Sequence, residues 1–218
     1  MNIRLEVSLK GLVIAVWGMI DGVRHEAHPE FRGHLAGVCD KLRDRYQDQA
    51  PSEIEQLASA RELYRSVGMD PTRHRPSSEA LLRRVVAGKG LYLLDPLVDT
   101  CNLFSMASGL PLGLYDRDFL GDIVTLRLGT EGEGYEGIRK GRVNVTSRFC
   151  LADEQGAFGS PSSDSFRARI RKSTSNILYL LYAPASTDSN WLREQGELLT
   201  GSFLKWNGGK EIARGELK

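Results

Sequence analysis

Three widely spaced cysteines in 218 residues are too few, and odd in number, for a disulfide framework; they point to a reducing cytoplasm. Long apolar runs are missing too. Nothing approaches the ~20 residues of a membrane span, and the longest run, Gly11 to Ile20, holds two glycines and Trp17 and reads as a strand. The opening Met1-Asn2-Ile3-Arg4-Leu5-Glu6 lacks the basic and apolar regions of a signal peptide. Net charge is almost absent, at +1. With 41% hydrophobic and 26% charged residues, the composition excludes collagen, coiled coil and bulk disorder. The familiar catalytic signatures are absent as well. There is no G-x-x-x-x-G-K-[ST] and no G-x-S-x-G, and Gly132-Glu133-Gly134 has no strand-turn-helix context. His25-x-x-His28, with His34, Glu26 and Glu30 nearby, is interrupted by Pro29 and has no cysteine or further histidine at finger spacing. These read as loop histidines, and no metal is expected.

What is present has the order of an α+β protein. Residues 1–24 form two strands or one bent one. Phe31, Leu35, Val38, Leu42 and Tyr46 then recur with the period of a helix. Ile54 to Val67 make a second amphipathic stretch, ended by Gly68. The polar segment 69–78 carries two prolines, and Ser77 or Ser78 is placed to cap a third helix through Val86. Asp95-Pro96 opens a fourth, which stops at Gly109. Short β-rich runs follow at Ile123–Leu128, Arg142–Val145, Phe149–Ala152, Arg167–Ile170 and Ile177–Tyr182. The segment from Ser186 reads as a C-terminal helix ended by Gly208-Gly209. Helices first and antiparallel strands afterwards give α+β, without repeats, as one domain over 1–218: strands and helices over 1–68, a core over 69–185 and the C-terminal helix over 186–218.

Charge is segregated despite its balance. Residues 26–62 hold eight acidic against five basic residues; residues 61–90 hold seven basic against three acidic, and residues 139–172 eight against three. In Arg167-Ala168-Arg169-Ile170-Arg171, a strand would put three guanidiniums on one face. Two readings stand: a solvated face opposite carboxylates, or a site for phosphate or carboxylate, which suits arginine's fork. Just before it, Gly156–Ser165 concentrates glycine, serine and Asp164. Such a segment makes either a hairpin loop or a cradle of N–H and hydroxyl groups for an anion or an ester carbonyl. Cys101 is either a buried structural cysteine or a pocket-lining thiol.

Leu97-Val98-Asp99-Thr100-Cys101-Asn102, followed by Gly109-Leu110-Pro111-Leu112-Gly113-Leu114-Tyr115-Asp116, resembles the V-D-x-T-N…G-x-P-x-H-x-F-D stretch of the B3/B4 editing domain of the phenylalanyl-tRNA synthetase β subunit. The Asp153…Gly156…Gly159 turn, with Thr174 and Ile177-Leu178 beyond it, is similar to the second half of that domain. The resemblance spans roughly residues 70–185. It implies a helix-flanked β-sandwich of mostly antiparallel strands that hydrolyses a mischarged aminoacyl ester without metal, cofactor or covalent nucleophile. Three positions depart from the pattern: the family's threonine falls at Cys101, its histidine at Gly113, and its tyrosine-recognising glutamate near Arg169.

The reading that follows is a free-standing, cytoplasmic homologue that binds the acceptor end of an aminoacyl-tRNA and hydrolyses a wrongly attached amino acid. Asn102, Asp164 and Ser165 would carry the catalysis, with the last two positioning water. Cys101 would line the pocket, Gly113 would leave room in it, and Arg167 or Arg169 would meet the terminal phosphate or the aminoacyl group. The expected partner is RNA, not DNA or a membrane. The rival is a non-catalytic RNA-binding module that retains only the fold.

Overall fold

A computed structural model describes residues 1–138 and 141–218. Its elements run β1 (Asn2–Leu5), β2 (Val13–Asp21), α1 (Phe31–Tyr46), α2 (Ala58–Ser66), α3 (Ser77–Val86), α4 (Pro96–Ser108), β3 (Leu112–Asp116), β4 (Ile123–Leu128), β5 (Gly134–Glu136), β6 (Arg142–Asn144), β7 (Phe149–Asp153), β8 (Gly156–Ser160), β9 (Ser163–Asp164), β10 (Asn176–Pro184), α5 (Ser189–Asn207) and β11 (Lys210–Leu217). One sheet has the order β1-β4-β7-β8-β9 and a second the order β11-β2-β10-β3; β5 and β6 form a separate hairpin. Of the strand pairs, β1–β4 is parallel and the others are antiparallel.

The layers follow from which faces are apolar. β2 and β10 are apolar on both faces because both are covered. From β2, Val13, Ala15 and Met19 join Leu178, Leu180 and Tyr182 of β10 in a core that also takes Val124, Leu126, Phe149, Leu151 and Phe158 from the five-stranded sheet. The alternate residues, Ile14, Val16 and Ile20 with Tyr179 and Leu181, pack on Leu97 and Cys101 of α4 and Leu199 and Phe203 of α5. Beyond α4, helices α1 and α3 close a third core around Met106 and Trp206. The β5–β6 hairpin covers the outer face of the five-stranded sheet through Tyr135, over Cys150 and Ala152. The α+β fold and the antiparallel sandwich with flanking helices are therefore as expected.

Several local expectations need correction. Arg167–Ile170 is a turn and coil, not a strand. Arg167 is held by Asp153 and Arg169 by the carbonyl and ring of Phe166, so the alternation of apolar and basic residues there carries no sheet. Ser77 and Ser78 do not cap α3, whose N-cap is Pro76, and both hydroxyls lack a hydrogen-bond partner among the described residues. The chain past Gly208-Gly209 does not trail off after the helix: β11 pairs along β2 from Asp21 to Ala15. The sequence pattern does not mark strands β3, β5, β8 and β9 either, because their glycines and serines look like turn material. Arg139 and Lys140, counted in the basic stretch 139–172, lie outside the described residues.

Candidate active site

Helix α4 supplies one wall of a cleft, and its ends are fixed by local chemistry. Asp95 caps it by accepting from the Leu97 N–H at 3.0 Å, with Pro96 at the first helical position. Gly109 ends it with φ 76°, where an added Cβ would strike the Gln56 backbone. Between these ends, Val98, Cys101 and Asn102 face β3 (Leu112, Leu114), the start of α3 (Ser77, Leu81) and the β8–β9 hairpin. The enclosed volume is about 170 Å³. It continues into a more open basin of about 400 Å³ that shares Val98, Ile138, Asp164 and Arg169.

Asp164 stands where the two cavities meet. Strand β9 holds it opposite Gly159, and serines tighten the hairpin, with Ser160 Oγ accepting from the Ser163 N–H at 3.2 Å. The hydroxyls of Ser162 and Tyr64 share a hydrogen bond of 2.8 Å, and Tyr135 donates to the Ser163 carbonyl. Asp164 Oδ1 is closed to solvent and has no partner among the described residues. The residue as a whole is part-exposed and lines both cavities. Burial raises the carboxyl to about 7, the Tyr115 hydroxyl acting in the opposite direction. Cys101, 8% exposed, is pushed far up by burial, with Asp164 adding to the effect, so it stays a thiol. Opposite, the Arg169 guanidinium lies 3.4 Å from the centre of the Phe166 ring and pairs with no carboxylate among the described residues.

The model of the B3/4 domain family matches residues 59–188, more than half of the chain. The chain belongs to the B3/4 domain family. Among solved structures, it is similar to an N-terminal fragment of the phenylalanyl-tRNA synthetase beta-subunit from Pyrococcus horikoshii, at 11% identity and a TM-score of 0.50, covering 96% of this chain and 50% of that one. At that identity the likeness is one of fold, and the chain spans half the length of the fragment. No curated protein matches.

Within this B3/4 domain, four of the residues expected at the site converge: Cys101, Asn102, Asp164 and Arg169 all line the inner cavity. Three do not. Ser165 is 2% exposed, and its Oγ accepts from the Ala168 N–H at 3.1 Å, which closes the turn after β9. Arg167 makes a two-pronged pair with Asp153, at 2.9 Å for each nitrogen, and donates to the Phe119 carbonyl at 2.8 Å. Gly113 faces the sandwich interior, where the room it leaves is filled by the Tyr115 ring. Arg171 is likewise structural, donating to Asp116 at 3.3 Å. Of the three histidines that precede the matched region, His25 bonds Asp95 and the Thr174 carbonyl, whereas His28 and His34 pack on Trp206. No group of three or more metal-ligating side chains occurs among the described residues. Sequence reasoning missed Ser77 and Ile138 as cavity-lining residues, and neither carried a signal.

Proposed function

We propose that this B3/4 domain binds the acceptor end of an aminoacyl-tRNA in the α4 cleft and hydrolyses the ester of a wrongly attached amino acid. The observation that carries the reading is the convergence of Cys101, Asn102, Asp164 and Arg169 on one concave site. Family membership and the fold shared with the synthetase fragment support it. A water held at Asp164 Oδ2 gives its proton to the carboxylate as its oxygen bonds the ester carbonyl carbon. The Asn102 carboxamide donates to the oxyanion that forms. As the carbon–oxygen bond to the ribose breaks, Asp164 returns the proton to the departing 3′-oxygen, leaving free amino acid and intact tRNA. A base that titrates near 7 suits this work at neutral pH. Cys101 lines the space for the amino-acid side chain, and Arg169 takes the terminal phosphate. The tRNA partner and a cytoplasmic setting belong to this proposal; among the described residues no helix is long and apolar enough to cross a membrane.

The test is hydrolysis of a panel of misacylated tRNAs. At least one is expected to be deacylated well above buffer, with Asp164→Asn slower by about 100-fold or more. A panel in which none is cleared faster than in buffer overturns the reading. Binding without turnover has its own support in three arginine–aromatic pairs. Arg84, Arg169 and Arg171 lie 3.7, 3.4 and 3.7 Å from the ring centres of Tyr92, Phe166 and Phe119. Those rings are 55, 49 and 45% exposed, as stacking platforms for bases would be. Affinity with a steep salt slope and no ester cleavage selects that alternative.

A further inference from the structure

Hydrolysis gives a use to one oxygen of Asp164 and leaves three buried oxygens without one. Asp164 Oδ1 and the hydroxyls of Tyr115 and Tyr182 are all closed to solvent and unpaired among the described residues. An orphaned buried polar group is costly, and three together call for an explanation. They are neighbours by construction. Gly159, the cross-strand partner of Asp164, has no side chain, and the Tyr115 hydroxyl occupies the place where one would be. Gly113 on β3 gives way to the same hydroxyl, so each sheet contributes one glycine to admit a single phenol. A Cβ at either glycine would collide with it. The Tyr115 ring is braced edge-on against Phe158 at 5.1 Å, and Tyr182 packs edge-on against Phe149 at 5.9 Å in the same core.

We propose that Tyr115 is a positioning residue for Asp164, and that Asp164, Tyr115 and Tyr182 form one proton-sharing chain leading from the cleft into the sandwich. Tyr115 donates to Oδ1, which fixes the carboxyl so that Oδ2 faces the cleft, and Tyr182 steadies Tyr115. In catalysis this rests on the ester-hydrolysis reading; as a property of the carboxyl it stands by itself. Burial holds both phenols well above their ordinary range, so they remain protonated donors at neutral pH. The other titratable groups around Asp164 are Tyr135, occupied with the Ser163 carbonyl, the buried thiols of Cys101 and Cys150, Tyr64 on Ser162, and Arg169 across the cleft. No cation pairs with Asp164 among the described residues, and the Tyr115 hydroxyl is the group there that lowers its proton affinity.

The test is a ¹³C-carboxyl NMR titration of Asp164 in the wild type, Tyr115→Phe and Tyr182→Phe. Phenylalanine keeps the ring packing, and near-ultraviolet circular dichroism checks the fold. Loss of the donor is expected to raise the Asp164 midpoint by about one pH unit or more in Tyr115→Phe. A smaller shift in the same direction is expected in Tyr182→Phe. The rising limb of the pH profile for ester hydrolysis moves upward in parallel. An unchanged midpoint in Tyr115→Phe overturns the proposal, including the case where only thermal stability falls, which marks a merely structural tyrosine. A shifted midpoint in a protein that clears no ester upholds the proton chain and removes the hydrolytic reading instead.

Discussion

Asp164 lines the cleft with one carboxylate oxygen closed to solvent, and that closed side decides its thermodynamics. Its folded value of about 7 lies above the ordinary 3.8, so ionising it costs the folded state more than the unfolded one. Its contribution to stability is therefore fully present below pH 3.8 and is lost as pH rises towards 7. Asp164→Asn removes that dependence. Chemical denaturation from pH 4 to 8 is expected to show the wild type losing stability relative to the variant, by on the order of 4 kcal/mol across the window. Parallel curves would show that the carboxyl is not desolvated. The place of Asp164 in the cleft was legible in the sequence as the one acid in a glycine- and serine-rich segment. The position of Gly113 was not, because nothing in its neighbourhood tells which sheet face it occupies or that a tyrosine two residues on fills the gap.

At the scale of elements, legibility follows how local the determinants are. Helix α4 could be bounded from Asp95-Pro96 and Gly109 alone, since capping and a left-handed C-terminus are decided within a few residues. The Arg167–Ile170 segment misled because alternation is necessary for a half-buried strand but does not produce one; pairing partners do. What shapes that segment is long-range: Asp153, with a fully buried side chain, clasps Arg167 from β7. The two arginines therefore sit in unlike surroundings, Arg167 clasped by a carboxylate and Arg169 stacked on the Phe166 ring. Arg167→Met strands a buried carboxylate and is expected to cost about 3 kcal/mol in urea unfolding. Arg169→Ala is expected to change stability by less than about 0.5 kcal/mol while weakening tRNA binding and flattening its salt slope by about one unit. Equal stability losses in the two variants would contradict this division.

For the whole molecule, the α+β class was readable from the order of helices and strands and the layered sandwich from the family resemblance, and four of the seven expected site residues meet although they come from segments some 60 residues apart. Helix α4 meets the β8–β9 hairpin only because β3 continues α4 into one sheet while β8 lies in the other. The family match begins at residue 59, yet β2, which precedes it, is central to its sheet and contributes to the cores on both faces. Other hollows compete with the α4 cleft for a ligand, among them one of about 210 Å³ beside Trp206, Asp99 and Thr100. The decisive measurement is amide chemical-shift mapping with a non-hydrolysable 3′-aminoacylamino-adenosine, which mimics the acylated end of tRNA. Shifts clustered at Cys101, Asn102, Asp164 and Arg169 are expected. Shifts confined to the surroundings of Trp206, or none at millimolar analogue, would contradict the assignment of the site.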